Sequence, residues 1–193
     1  MIIKPEPLTS NLAKEKIKNL LKKTNFFLEY GSGGSTIYAS KFCKKIISIE
    51  TDYNFFKILK GMKINNTELI YVNVGKTMGY GVPKKSETLL FEDNFCAEYC
   101  QKPWSLMKKK NPDLVLIDGR YRVASILYSF IKNKNENCTY IFDDYINRPF
   151  YHIIYKYINI IEVCDNTIIL KKKKQINLEE LQKLLDIYYN DFR

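Results

Sequence analysis

The sequence has little of what marks membrane, metal or redox proteins. No apolar run approaches the roughly eighteen residues that a membrane-spanning helix requires, and the opening "MIIKPEPLTS" lacks the apolar stretch of a secretory leader. A soluble, cytoplasmic protein is expected. The five cysteines, Cys43, Cys96, Cys100, Cys138 and Cys164, are odd in number and none pairs at CxxC spacing. This argues against a zinc or dithiol site and for reduced thiols filling a core. There is a single histidine, His152. Glycine is scarce as well, eight in 193 residues, so three within four positions call for an explanation. No repeat and no linker rich in Pro, Gly or Ser divides the chain, and its length with 46% hydrophobic residues suits one domain over 1–193.

Positive charge, by contrast, is abundant: 31 Lys and Arg face 21 Asp and Glu, a net +10. Such an excess can attract nucleic acid, an anionic glycan or a nucleotide-linked molecule, and does not choose among them. Much of it lies in the runs "KKK" at 108–110 and "KKKK" at 171–174, which read more simply as solvated edges.

Apolar segments alternate in type along the chain. "LAKEKIKNLLKK", "YNFFKILKGM" and "RVASILYSFIKN" have helical spacing, whereas "FFLEY", "KKIISIE", "ELIYVNV", "DLVLID" and "CTYIFDD" are short continuous runs. Runs with no polar alternation suit a parallel sheet covered on both faces. "INIIEVC" and "TIILKKK", joined by Asp165 and Asn166, predict an antiparallel hairpin at one sheet edge. The expected architecture is therefore α/β, a doubly wound, three-layered and mostly parallel sheet, with an N-terminal helix within 1–23 and a C-terminal helix within 177–193. The least patterned stretch, 75–94, is expected to form a lid or substrate loop, since a long loop in a compact domain is usually functional.

In "FFLEYGSGGST", residues 26–36, the glycines fall where a strand passes into a helix. Gly31 and Gly33 allow a tight turn and close approach of a ligand, and the helix start offers N–H groups that Ser35 and Thr36 can cap. Glu50 ends the next strand about twenty residues on, the position from which an acid can accept hydrogen bonds from both ribose hydroxyls. Asn73 and Val74 end the third strand, where an adenine would lie. Glu29, in front of the turn, would repel a pyrophosphate but attract a cationic amino-acid head. Adenosine, ammonium and sulfonium together describe S-adenosylmethionine.

On "LEYGSGGST", "SIE", "DLVLIDGR" and the terminal hairpin, which together span nearly the whole chain, the sequence resembles a class I S-adenosylmethionine-dependent methyltransferase. The resemblance implies a Rossmann-like sheet of seven strands. It also implies that Glu29, Gly31 and Gly33, with Ser32, Ser35, Thr36 and Asp118 beside them, line the methionine part of the cofactor. Glu50 would hold the ribose, and Asn73 with Val74 the adenine.

Methyl transfer to oxygen needs in-line approach and removal of a proton. Acids stand at the ends of two consecutive strands: Asp118 in "LVLIDGR", and Asp143 and Asp144 in "YIFDDY". The pattern is similar to methyltransferases whose "IDG" turn and later acid pair hold magnesium and act on sugar or catechol-like hydroxyls, so Mg2+ at Asp118, Asp143 and Asp144 is one expectation. Arg120 replaces the histidine that many of those enzymes carry, and the alternative is that Arg120, Arg122 and Arg148 bind an anionic acceptor while Asp118 or Asp144 acts as base. Tyr145 and Tyr151 are candidate acceptor contacts, and His152 a candidate catalytic residue. The leading expectation is an O-methyltransferase for a sugar, glycan or other small hydroxylated acceptor. The alternatives are an RNA or protein methyltransferase and an inactive cofactor-binding partner subunit.

Overall fold

In a computed structural model, which describes residues 3–84, 95–107 and 110–193, the chain winds around one seven-stranded sheet. The elements run α1 (Asn11–Leu21), β1 (Phe26–Tyr30), α2 (Gly34–Ala39), β2 (Lys45–Glu50), α3 (Tyr53–Gly61), β3 (Thr67–Tyr71), β4 (Thr77–Met78) and β5 (Val82–Pro83). They continue with α4 (Phe95–Ser105), β6 (Leu114–Ile117), α5 (Arg122–Lys132), β7 (Thr139–Phe142), β8 (Ile158–Cys164), β9 (Thr167–Lys172) and α6 (Leu178–Tyr188). The sheet order is β3-β2-β1-β6-β7-β9-β8, with β4 and β5 forming a separate small hairpin. Strands β3, β2, β1, β6 and β7 are parallel, and β9 runs antiparallel between β7 and β8.

The continuous apolar runs are central strands because both sheet faces are covered: every residue of β1 and β6 is buried. Side chains alternate between two cores. Leu28, Tyr30, Ile47, Ile49, Val115 and Ile117 pack with residues of α4, α5 and α6. Phe27, Ile46, Leu114 and Leu116 pack with Ala13, Ile17 and Leu21 of α1. Cys43, Cys100, Cys138 and Cys164 are buried. Three helix starts are capped, with Ser10, Asp52 and Asn177 each accepting from backbone N–H groups within the first turn.

Two segments differ from the sequence reading. The stretch "RPFYHIIYKY" that holds His152, whose sequence predicts a helix after the fifth strand, is a 3-10 run, Pro149–Tyr157. Of the expected 75–94 loop, Gly75 to Lys84 carry the β4–β5 hairpin, and 85–94 lie outside the described residues. No helix among the described residues is long and apolar enough to cross a membrane.

Strand order reverses between β1 and its parallel neighbour β6: the chain runs outward from β1 through β2 and β3 on one side, and from β6 through β7 on the other. Their carboxyl ends open the crevice in which ligands of such sheets bind.

Candidate functional site

Two loops meet at that crevice, backbone to backbone. Gly31 follows β1 with φ +98°, and a Cβ there would lie 2.6 Å from the Cα of Gly119, the residue two after β6. A Cβ on Gly119 would lie 2.9 Å from the Gly31 Cα and 2.2 Å from the Tyr99 hydroxyl. Neither position admits a side chain. The Gly31 and Ser32 N–H groups both donate to the Ile49 carbonyl, at 3.0 and 3.1 Å, which draws the turn toward β2. At Gly33 the nearest atom to a Cβ is the Ser35 Oγ at 3.9 Å, so this side of the turn is open.

Glu29 is fully buried below the turn, and three hydroxyls surround its carboxylate. Ser35 donates to Oε1, while Thr36 and Ser48 donate to Oε2 at 2.5 and 2.7 Å. Ser48 also bonds Ser32, Oγ to Oγ, at 2.7 Å. Burial pushes the Glu29 carboxyl up to about 7 against the pull of those hydroxyls. Glu29, Ser32, Ser35 and Thr36 thus form one hydroxyl–carboxylate cluster that braces the turn from inside. The start of α2 is not open either: a Cβ on Gly34 would lie 2.1 Å from the Lys4 carbonyl oxygen and 2.3 Å from that of Glu6. Residues 4–9 therefore cross the carboxyl edge of the sheet from Gly34 to Asp143, whose Oδ1 accepts from the Thr9 hydroxyl at 3.0 Å.

Glu50, at the end of β2, accepts the N–H groups of Thr51 and Asp52 on Oε1, at 2.7 and 2.8 Å. Its Oε2 has no partner among the described residues. Burial pushes this carboxyl up to about 7 as well, against those two N–H groups. The β4–β5 hairpin leans on the same place, with Thr51 Oγ1 donating to the Gly81 carbonyl at 3.0 Å. Val74 is buried, while Asn73 is exposed and accepts the Gly75 N–H at 3.1 Å on Oδ1.

At the ends of β6 and β7 the acids and arginines are brought together, but in unequal roles. Arg122 is 3% exposed and turned inward: its guanidinium donates to the carbonyls of Gly119 at 3.0 Å, Asp143 at 2.6 Å and Asp118 at 3.2 Å. It also faces the carboxylates of Asp118 and Asp144, each at 3.2 Å. Arg148 holds Asp144 at 2.8 Å. Asp143 is 6% exposed and accepts from Thr9 and Thr167. Asp118 keeps its side chain 30% exposed, and its carboxyl lies well above the ordinary range, because burial outweighs the opposing Arg122 and Asp143 adds repulsion. Tyr121 and Asp144 hold left-handed backbones, φ 51° and 58°, the kind of strain that collects at functional loops.

The magnesium expected at Asp118, Asp143 and Asp144 finds no support: among the described residues no three His, Cys, Asp or Glu side chains converge to hold a metal. Asp143 is spent on two threonines and Asp144 on two arginines. Tyr145 and Tyr151, expected to meet the acceptor, are buried at 3% and 0%. Their rings pack on Phe142, and the Tyr145 phenol is pushed up to about 12 by burial. His152 is exposed, with Nε2 3.0 Å from the Tyr145 carbonyl oxygen. Arg120 and Arg148 are partly exposed, and Arg148 is paired with Asp144.

Ser48, Gly119, Thr9 and Tyr99 were not anticipated as site residues. Ser48 had a legible signal, being the lone polar residue of "IISI", one strand over from the lone acid of "FFLEY". Thr9 and Tyr99 had none, because only the tertiary fold brings them to the crevice.

Sheet order, turn and crevice are those of the class I methyltransferase fold, a Rossmann-like architecture. Among solved structures, the chain is similar to a methyltransferase-like protein (spo2022) from Silicibacter pomeroyi DSS-3, with TM-score 0.82 and 24% identity over 97% of this chain and 98% of that one. It is similar, more distantly, to an rRNA methylase from Streptococcus thermophilus, with TM-score 0.50 and 10% identity over 87% of this chain and all of that one. It is also similar to SMU.1697c from Streptococcus mutans, solved in complex with SAH, with TM-score 0.50 and 8% identity over 86% of this chain and all of that one. No protein-family model and no curated protein matches the sequence.

Proposed function

We propose that this chain is an S-adenosylmethionine-dependent methyltransferase that acts on a hydroxyl of a small acceptor, with a sugar or glycan hydroxyl the leading candidate. The observation that carries the cofactor reading is the pairing of an open glycine turn at Gly33 with the Oε2 of Glu50 at the adjacent strand end, an oxygen without a partner among the described residues. That oxygen is an acceptor suited to ribose hydroxyls. Glu29 enters this reading as the brace beneath the turn, and Val74 as an apolar wall for the adenine.

When bound, S-adenosylmethionine supplies an electrophilic methyl group on sulfur. The chain's own task is then to hold the acceptor oxygen in line and take its proton. Asp118 suits the second role, since its raised pKa makes it a stronger base than an ordinary carboxylate and part of it reaches solvent. Arg122 holds Asp118 from behind through Oδ1, and Asp144 anchors Arg148 at the rim. Nothing in the step requires the magnesium once expected.

An RNA acceptor draws support from the net +10 charge, but one cluster of lysines lies away from the crevice. Lys44, Lys45, Lys110 and Lys134 line an open cleft of about 640 Å3 at the amino-terminal edge of the strands, opposite the crevice. The test is methyl transfer from labelled S-adenosylmethionine to a panel of sugars and small phenols, with bulk RNA in parallel. Label on the small hydroxylated compounds supports the proposal; label on RNA alone moves the activity to the other acceptor class. Cofactor binding with no transfer to either leaves the partner-subunit reading.

A further inference from the structure

Three guanidinium groups gather at the acceptor side of the crevice, and among the described residues only one lacks a counter-ion. Arg122 faces Asp118 and Asp144, and Arg148 faces Asp144. Arg120 makes no ion pair with any described residue, and its Nε lies buried with no hydrogen-bond partner. A buried donor left without an acceptor is costly, and a guanidinium is among the least tolerant of groups in this respect. Its pKa is drawn down by burial and next by Arg122, with Arg148 adding to the repulsion.

The backbone on either side of Arg120 is nevertheless held in place. The preceding Gly119 is pressed against Gly31 and the Tyr99 hydroxyl. The following Tyr121 stands at φ 51° with its N–H bonded to the Phe192 carbonyl at 3.1 Å, and its ring lies 5.5 Å from that of Tyr99. The Arg122 N–H is bonded to the Arg193 carbonyl at 2.9 Å. The loop that carries Arg120 is thus fixed in shape, and the partly exposed Arg120 side chain, two residues from Asp118, starts from a preorganised backbone.

We infer that Arg120 is the specificity residue for an oxyanion on the acceptor, a carboxylate or phosphate group close to the hydroxyl that is methylated. A guanidinium fork matches either group through paired N–H donors. The acceptor class narrows to hydroxylated acids or phosphorylated hydroxyl compounds, and neutral sugars become poor substrates. This inference rests on the methyltransferase reading for its biological meaning, but the anion site itself does not.

The test is nitrogen-15 NMR of the arginine Nε–H signals of the full chain, titrated with inorganic phosphate and then with acetate, at ionic strength matched with chloride. The signal lost in Arg120→Lys assigns Arg120, and an unchanged Arg122 signal in that variant reports an intact loop. The expected result is a saturable shift of the Arg120 signal with phosphate or acetate, at concentrations roughly tenfold below any effect of chloride. Phosphate as the tighter ligand indicates a phosphorylated acceptor, and acetate a carboxylated one. No shift, or the same unsaturated drift with all three salts, overturns the inference. The titration needs no cofactor: S-adenosylhomocysteine binding without an anion response removes only this inference, and the reverse outcome removes only the proposed function.

Discussion

Glu29 and Ser48 face each other in register on adjacent parallel strands, and the Ser48 hydroxyl donates to the Glu29 carboxylate at 2.7 Å. This pair joins β1 to β2 immediately below the turn that presents Gly31 and Gly33. It makes an acid part of the scaffold, with a consequence for stability.

A carboxyl raised from 4.5 to about 7 in the folded chain binds a proton that the unfolded chain has already released. Stability is therefore greatest near or below the unfolded value and falls as pH rises between the two, by up to about 3 kcal/mol for Glu29. The expected outcome is that Glu29→Gln unfolds with a midpoint less dependent on pH than wild type between about pH 5 and 8. Parallel curves would contradict the assignment of this slope to Glu29.

Gly31→Ala places a methyl group within 2.6 Å of the Gly119 backbone at a left-handed φ of +98°. Strain and overlap together are expected to destabilise the fold by about 3 kcal/mol or more. Gly33→Ala meets no such neighbour. It should keep near-wild-type stability while weakening cofactor binding, and urea unfolding of the two variants distinguishes them.

Gly34→Ala tests the crossing segment, because its methyl group would displace the carbonyls of Lys4 and Glu6. Loosening of residues 4–9 also frees the Thr9 hydroxyl from Asp143. Faster amide hydrogen exchange in this segment, with the β1–β2 core still protected, is the expected pattern. Uniform exchange across the molecule would contradict it.

The raised pKa of Asp118 sets the expected sign of the pH–rate profile. Activity rises with pH as this carboxyl loses its proton, at a value above the ordinary carboxylate range, and Asp118→Asn loses roughly 100-fold or more in kcat. EDTA is expected to leave turnover unchanged, since the acids once expected to hold magnesium are bonded to Thr9, Thr167, Arg122 and Arg148. Activity restored only by added magnesium would contradict this.

Much of this architecture was legible in the sequence, because burial on both faces of a parallel sheet leaves a direct mark: "FFLEY", "IISIE" and "DLVLID" have no polar alternation to suggest anything else. The hairpin from Ile158 to Lys172 was equally plain. Helix α4 was not, since Pro103 lies inside it and its sequence mixes Lys and Gln with aromatics. At the site, the sequence named the acids and arginines correctly as neighbours but not their division of labour. Asp118, Asp143 and Asp144 read alike in one dimension. Only the fold reveals that two threonines, two arginines and the solvent divide these carboxylates among them. The inward turn of Arg122 and the orphaned Nε of Arg120, two residues apart, were likewise hidden.

Calorimetric titration of wild type and Glu50→Ala with S-adenosylhomocysteine tests the central claim most directly. Micromolar binding to wild type, lost in the variant while its thermal unfolding stays cooperative, is the expected result. Absence of binding to wild type would contradict the cofactor assignment and leave the turn at Gly31 with a purely structural role.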